Sequence, residues 1–144
     1  MDIGVEFTVE DDPDPRDLEF LETQIRREAS AAMKLGEETE LAIFVREAGR
    51  IVAGISGWTW GDCCELQSLW VDPGLRGRRL GTRLIAAAEA EAAARGCSQS
   101  VHFTYAFQAG SLYERCGYEL VGRVESFPAG TDVLWYRKSL TPAS

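Results

Sequence analysis

The sequence predicts an α/β fold: a mixed, mainly antiparallel central sheet of about six to seven strands flanked by about three to four helices. Three observations carry this. Short apolar runs follow one another through turn residues such as Ala48-Gly49-Arg50 and Gly61-Asp62, which reads as hairpins. An alanine-rich stretch from Leu80 to about Arg95 sets Leu80, Leu84, Ala87 and Ala88 on one helical stripe. Between the two lies Leu69 to Leu84, an apolar strand end broken at Asp72-Pro73-Gly74 that passes through an Arg/Gly loop into that helix.

In chain order, Ile3, Val5, Phe7 and Val9 alternate with polar residues and predict a half-buried strand. Asp14-Pro15 reads as a helix start, with Asp as the N-cap and Pro at the first helical position. Leu18, Leu21, Ile25, Ala29, Ala32 and Met33 then recur at helical spacing, so this helix should bury one stripe and stop near Gly36. Leu41 to Glu47, Ile51 to Trp60 and Cys63 to Val71 read as strands. Gly54 and Gly57 interrupt the second and mark bends or close backbone approaches. Gly96 caps the alanine-rich helix. Ser98 to Thr104 is the next strand, Gly110 to Cys116 a short helix stopped by Gly117, and Tyr118 to Val124 and Val133 to Ser139 the last two strands.

At 144 residues the whole chain, 1–144, reads as one domain. It shows 45% hydrophobic and 26% charged residues, an ordinary globular balance. The formal charge of -8 argues against nucleic acid, whose binding needs a basic face, and favours a cationic or amine substrate. No basic-then-apolar leader is visible at the start, and no window approaches about 18 apolar residues, so no membrane association and a cytoplasmic location are expected. Cys63, Cys64, Cys97 and Cys116 show no C-x-x-C spacing and, with the single His102, form no familiar metal constellation. They are expected as free thiols, and no metal is expected.

The loop before the alanine-rich helix is where local charge departs from the total: Arg76, Arg78, Arg79 and Arg83 crowd into eight residues. The first N–H groups of a helix lack internal partners and sit at the positive end of its dipole, so a glycine-containing loop there can cradle a phosphate. The plainer alternative is a solvated, salt-bridged helix start.

A second stretch narrows the choice: Ala109, Tyr113, Glu114, Gly117 and Tyr118 fall in the pattern A-x-x-x-Y-E-x-x-G-F/Y. With Arg76 and Gly81 matching a Q/R-x-x-G-x-G/A loop, the chain resembles the GNAT superfamily of acyl-CoA-dependent N-acetyltransferases over roughly residues 40 to 140. Two departures stand out. Arg79 replaces the loop's middle glycine, and Ala106 stands where the family often has Asn, with Gln108 two residues on as a substitute amide.

The resemblance implies transfer of an acetyl group from acetyl-CoA, as co-substrate, to an amine by direct attack. It places the pyrophosphate on Arg76, Gly77, Arg78, Arg79, Leu80, Gly81 and Thr82, and the amide-bearing pantetheine arm on the strand edge at Leu69, Trp70 and Val71, with Gln108 nearby. It places Tyr113 at the leaving thiolate; the alternative is a packed aromatic. A lysine-type amine is neutral in only about one molecule in 2,500 at pH 7, so a base is valuable. Glu65 is the candidate, directly or through a water, against the alternative of a solvent-facing strand glutamate; Gln67 shares its alternation. Trp58, Trp60, Tyr105 and Trp135 shape an acceptor pocket or belong to the core. His102 reads as a satisfied structural histidine and Cys116 as structural. In the family the segment before the second strand helps wall the acceptor.

Three readings follow: an N-acetyltransferase acting on a small-molecule or peptide amine, a non-catalytic CoA-binding sensor or partner-binding module, and a plain phosphate-binding protein. The chain's self-association as a homodimer is compatible with each.

Overall fold

The computed structural model describes residues 4–108 and 110–143, which fall into two compact units divided after residue 37. Ala109 of the second motif and Ile3 of the expected first strand lie outside the described residues.

In the first unit, residues 4–9 form no strand, contrary to the expectation, and Phe7 and Val9 are almost fully exposed. Alternation supplies an apolar side, but a strand also needs a neighbouring backbone to take its N–H and C=O groups. Helix α1 spans Pro15–Met33. It starts where expected: Asp14 Oδ1 accepts from the Arg16 N–H at 2.9 Å, and Pro15 opens the first turn. Lys34 ends it in the left-handed conformation, φ 56°. The stripe of Leu18, Leu21 and Ile25 exists, yet no residue of α1 is buried. Helical spacing aligns a face; it does not cover one.

The second unit carries strands β1 (Thr39–Glu47), β2 (Arg50–Trp60) and β3 (Cys63–Val71), helix α2 (Leu80–Ala94), β4 (Gln99–Tyr105), helix α3 (Gly110–Arg115), β5 (Glu119–Val124) and β6 (Val133–Ser139). They form one six-stranded mixed sheet, ordered β1-β2-β3-β4-β6-β5. Every pairing is antiparallel except β3 with β4, which the α2 crossover makes parallel. The expected α/β class, with a mainly antiparallel sheet, is what the chain adopts.

The core lies between the sheet and α2, whose Leu84, Ile85, Ala88 and Ala92 meet Leu41, Ala53, Ile55, Cys64 and Leu66. Small residues on α2 let helix and sheet approach closely. Arg95, at the end of α2, fastens that contact by donating to the Glu40 carbonyl at 3.0 Å and to Thr59 Oγ1 at 3.1 Å.

One irregularity sets up everything else. The parallel ladder runs only from Cys63 opposite Gln99 to Leu66 opposite His102, while β4 continues to Tyr105 on its β6 side. Beyond Leu66 the β3 edge is therefore unpaired toward β4. On its other side, β3 pairs Leu66 with Gly57 and Ser68 with Ser56, leaving Gln67 as a bulge. Gly57 permits this crossing: a Cβ there would overlap the Glu65 carbonyl oxygen.

Candidate active site

The open β3 edge leads straight into the loop. Asp72 Oδ1 accepts from the Gly74 N–H at 2.9 Å and starts a 3-10 turn over Pro73–Leu75. Arg76 Nε donates back to the Val71 carbonyl at 3.1 Å. Gly77 (φ 82°) and Arg79 (φ 61°) then both take left-handed backbone before α2 begins at Leu80. The Arg79 departure thus has a structural reading: arginine is held in the conformation that the pattern's glycine adopts freely. Among the described residues no side chain caps α2. Its first intrahelical bond comes from the Arg83 N–H to the Arg79 carbonyl, which leaves the Leu80, Gly81 and Thr82 N–H groups free for a ligand.

Loop and edge wall a cavity of about 980 Å³. Leu69 and Val71 line it from β3, and Arg76, Gly77, Arg79, Leu80, Gly81 and Thr82 from the loop and helix start. Gln108 closes the far wall, its Oε1 held by the Tyr105 N–H at 3.1 Å and the Thr104 hydroxyl at 3.2 Å. Gly81 faces α3 so closely that a Cβ would stand 3.0 Å from Leu112 Cδ2.

Two residues expected at the cofactor do not line this cavity. Trp70 alternates with Leu69 and Val71, so its half-exposed side chain takes the other side of β3, and Arg78 is exposed. Conversely, Phe107, Ser111, Arg115 and Cys116 line it and were not singled out as ligands. Their place next to the second motif was the available signal, since that motif forms the wall opposite the loop. Cys116 is half-buried, and burial pushes its thiol pKa up.

Tyr113 is fully buried and stands between the lining residues Leu112 and Cys116 in sequence without lining the cavity itself. Its ring stacks on His102, centroids 3.8 Å apart and planes 14° from parallel, and meets Tyr118 edge-on at 5.2 Å. Its hydroxyl has no hydrogen-bond partner among the described residues. Burial, then the nearby Cys116 and Glu89, raise its pKa well above the ordinary tyrosine value, so the phenol stays neutral and can only donate or accept a hydrogen bond. α3 is pinned from below by Lys138, whose Nζ donates to the Cys116 carbonyl at 2.7 Å and to Glu89 Oε1 at 2.9 Å. Neither bond of Lys138 was legible, because its partners Glu89 and Cys116 lie 49 and 22 residues away in sequence.

Glu65 occupies the opposite face of the sheet. It pairs in register with Trp58 and Val101, one residue before the ladder ends, while His102 and Tyr113 lie on the helix side with Leu66. Gln67 Nε2 donates to its Oε2 at 3.3 Å, which brings the two polar residues of that alternation together. Glu65 and Tyr113 thus flank the fork from its two faces.

The mixed sheet splits beside an open helix start, which is the α/β arrangement that the resemblance to acetyltransferases implies. Residues 5–118 match the family model of the Acetyltransferase (GNAT) family, and the chain belongs to that family. A blasticidin-S acetyltransferase of Streptomyces morookaense is 42% identical over 88 residues, 58% of this chain; the match spans 62% of that relative's length. A crystal structure from Agrobacterium tumefaciens, assigned as an acetyltransferase, superposes with TM-score 0.87 at 25% identity over 94% of this chain and 100% of its own. A Bacillus anthracis protein assigned as a streptothricin acetyltransferase, crystallised with acetyl coenzyme A, shares the fold: TM-score 0.63 and 18% identity, covering 71% of this chain and 63% of that one. Among the described residues no helix is long and apolar enough to cross a membrane, and no cluster of side chains could hold a metal ion.

Proposed function

We propose that the chain, as one acetyltransferase domain, transfers the acetyl group of acetyl-CoA to a primary amine of a small-molecule acceptor by direct attack. One observation carries the reading: the β3 edge opens immediately upstream of an uncapped helix start bearing four arginines. The residues fit the co-substrate. The Leu80 to Thr82 N–H groups and the loop arginines suit its pyrophosphate, and the N–H and C=O groups that Gln67 to Trp70 turn away from β2 suit an amide-bearing arm. Arg76, now bound to the Val71 carbonyl, would release that acceptor when it turns to a phosphate.

When bound, acetyl-CoA supplies an activated acyl group on a thiol leaving group. This chain's residues then work from opposite faces of the fork. Glu65 accepts the proton of the incoming ammonium, directly or through a water, on one face. Tyr113 offers its hydroxyl to the departing sulfur on the other. A phenol gives up its proton to a thiolate only uphill, and the raised Tyr113 pKa makes the step steeper, so its contribution is a hydrogen bond rather than full proton transfer. The small-molecule acceptor is favoured by the blasticidin-S acetyltransferase likeness and by the chain's acidity.

A non-catalytic CoA-binding role is the second reading, favoured by the separation of the Tyr113 hydroxyl from the cavity lining. An amine panel with acetyl-CoA, followed by free-thiol release, separates the two. Saturable stabilisation by acetyl-CoA together with amine-dependent thiol release supports transfer; stabilisation without release across the panel supports the binding module. No thermal shift at millimolar acetyl-CoA defeats both.

A further inference from the structure

His102 is the chain's one histidine, and the transfer chemistry above does not use it. It stands opposite Leu66, the last β3 residue to pair with β4, and so marks the point where the sheet divides. Its Nδ1 lies 2.8 Å from the Leu66 carbonyl oxygen. A carbonyl only accepts, so Nδ1 carries the proton and donates. Burial holds the ring neutral, its pKa lowered to about 4. The face of that same ring lies on Tyr113.

Tyr113 needs such a contact. With no hydrogen-bond partner for its hydroxyl among the described residues, no polar group there fixes the direction of the ring. Its orientation comes from neighbouring rings: His102 over one face, Tyr118 edge-on at 5.2 Å, and Tyr136 at 6.4 Å. Of these three, His102 alone also holds the β3 backbone. Tyr118 donates instead to Ser100 Oγ at 2.8 Å on β4, and Tyr136 to Glu114 Oε1 at 3.0 Å on α3.

We propose that His102 is a positioning residue that locks the Tyr113 phenol to the fork of the sheet, so that the hydroxyl and the open strand edge keep one spacing during the reaction. The ring does this with two separable contacts, a hydrogen bond in its plane to Leu66 and a stacking contact through its face with Tyr113. The inference rests on the assignment of Tyr113 to the leaving group.

The experiment is a double-mutant cycle on the full chain. His102→Gln retains an N–H for the Leu66 carbonyl and removes the stacking plane; His102→Phe retains the plane and removes the donor. Each severs one link, so each should lower kcat about tenfold with acetyl-CoA KM changed less than about twofold. In a Tyr113→Phe background neither should slow the enzyme further, because a positioning residue has nothing left to position. Thiol release is measured with the best amine of the panel, or with water as acceptor if none is found. If the His102 variants slow Tyr113→Phe by the same factor as they slow the parent, His102 acts on the fold and the proposal is wrong. Should Tyr113→Phe turn over at the parent rate, the leaving-group assignment itself falls and takes the inference with it.

A second measurement does not depend on turnover or on every variant folding. With tyrosine ring carbons labelled, coenzyme A should shift the Tyr113 resonance in the parent and, by less than half as much, in whichever His102 variant folds. An equal shift in parent and variant overturns the proposal.

Discussion

Tyr113 combines a hydroxyl without a partner among the described residues and a ring without exposure, and this pairing decides what its substitution will do. Tyr113→Phe removes an oxygen that no described side chain or backbone group pairs with, so stability should hold or rise while kcat falls roughly 10 to 1,000-fold. Thermal melts and steady-state thiol release on the same preparation check both halves. The motif made the residue legible; its seal against His102 was not, because that contact depends on how β4 and α3 meet. His102 itself was legible as a satisfied histidine, and its Nδ1 donates to the Leu66 carbonyl while burial lowers its pKa. Its pKa of about 4 in the folded chain lies below the ordinary 6.5, so between these values the unfolded chain binds the extra proton. Stability should therefore fall as pH drops from about 6.5 to about 4, by about 3 kcal/mol for this group, and His102→Gln should flatten that part of the pH–stability curve. Denaturant titrations of parent and variant at several pH values test it; parallel curves would show that carboxylates alone drive the acid loss.

The loop and helix start form the element most readable from sequence, since all its determinants are local: Asp72-Pro73-Gly74 to turn, glycine to cross φ > 0, and arginines at the dipole's positive end. Gly81→Glu should abolish acetyl-CoA binding, because it sets a carboxylate among the first-turn N–H groups and a side chain against Leu112. Retained helical circular dichroism with no calorimetric binding is the expected result; unchanged affinity would move the cradle elsewhere. Arg79→Gly works in the opposite sense on the fold. Relief of the left-handed backbone at φ 61° should stabilise by about 1 kcal/mol, while one cation is lost from the site. Denaturant midpoints check that gain. The fork next to this loop could not be read in the same way. Gly57 signalled a close backbone approach, yet where the parallel ladder stops depends on the registry of two strands joined through α2. Of the strand expected over Ile3 to Val9, the described residues 4–9 show the converse: a clear local pattern that does not become a strand.

At the scale of the whole molecule, the sheet order follows from hairpins and two helical crossovers, α2 between β3 and β4 and α3 between β4 and β5, so the fold class was legible from element types although the insertion of β6 between β4 and β5 was not. Charge is distributed less evenly than structure. The chain is strongly acidic at -8, so apart from its arginine loop the protein's field opposes a polyanion such as acetyl-CoA. Arg76 and Arg79 line the cavity, and Arg78 and Arg83 are exposed close by. Two opposed effects of salt follow. Screening weakens the short-range attraction of loop for phosphate, and it also weakens the longer-range repulsion from the acidic remainder. At about 0.15 M salt the Debye length is near 8 Å, so the distant repulsion is already largely suppressed and contacts within the loop are not. Above that concentration the attraction alone remains to be screened. Acetyl-CoA affinity measured by calorimetry should accordingly change little from about 0.05 to 0.15 M and fall several-fold by about 0.5 M, with a shallower fall in Arg79→Ala. Affinity that is flat across the whole range would mean that the arginines meet no phosphate and that backbone N–H groups hold the ligand alone.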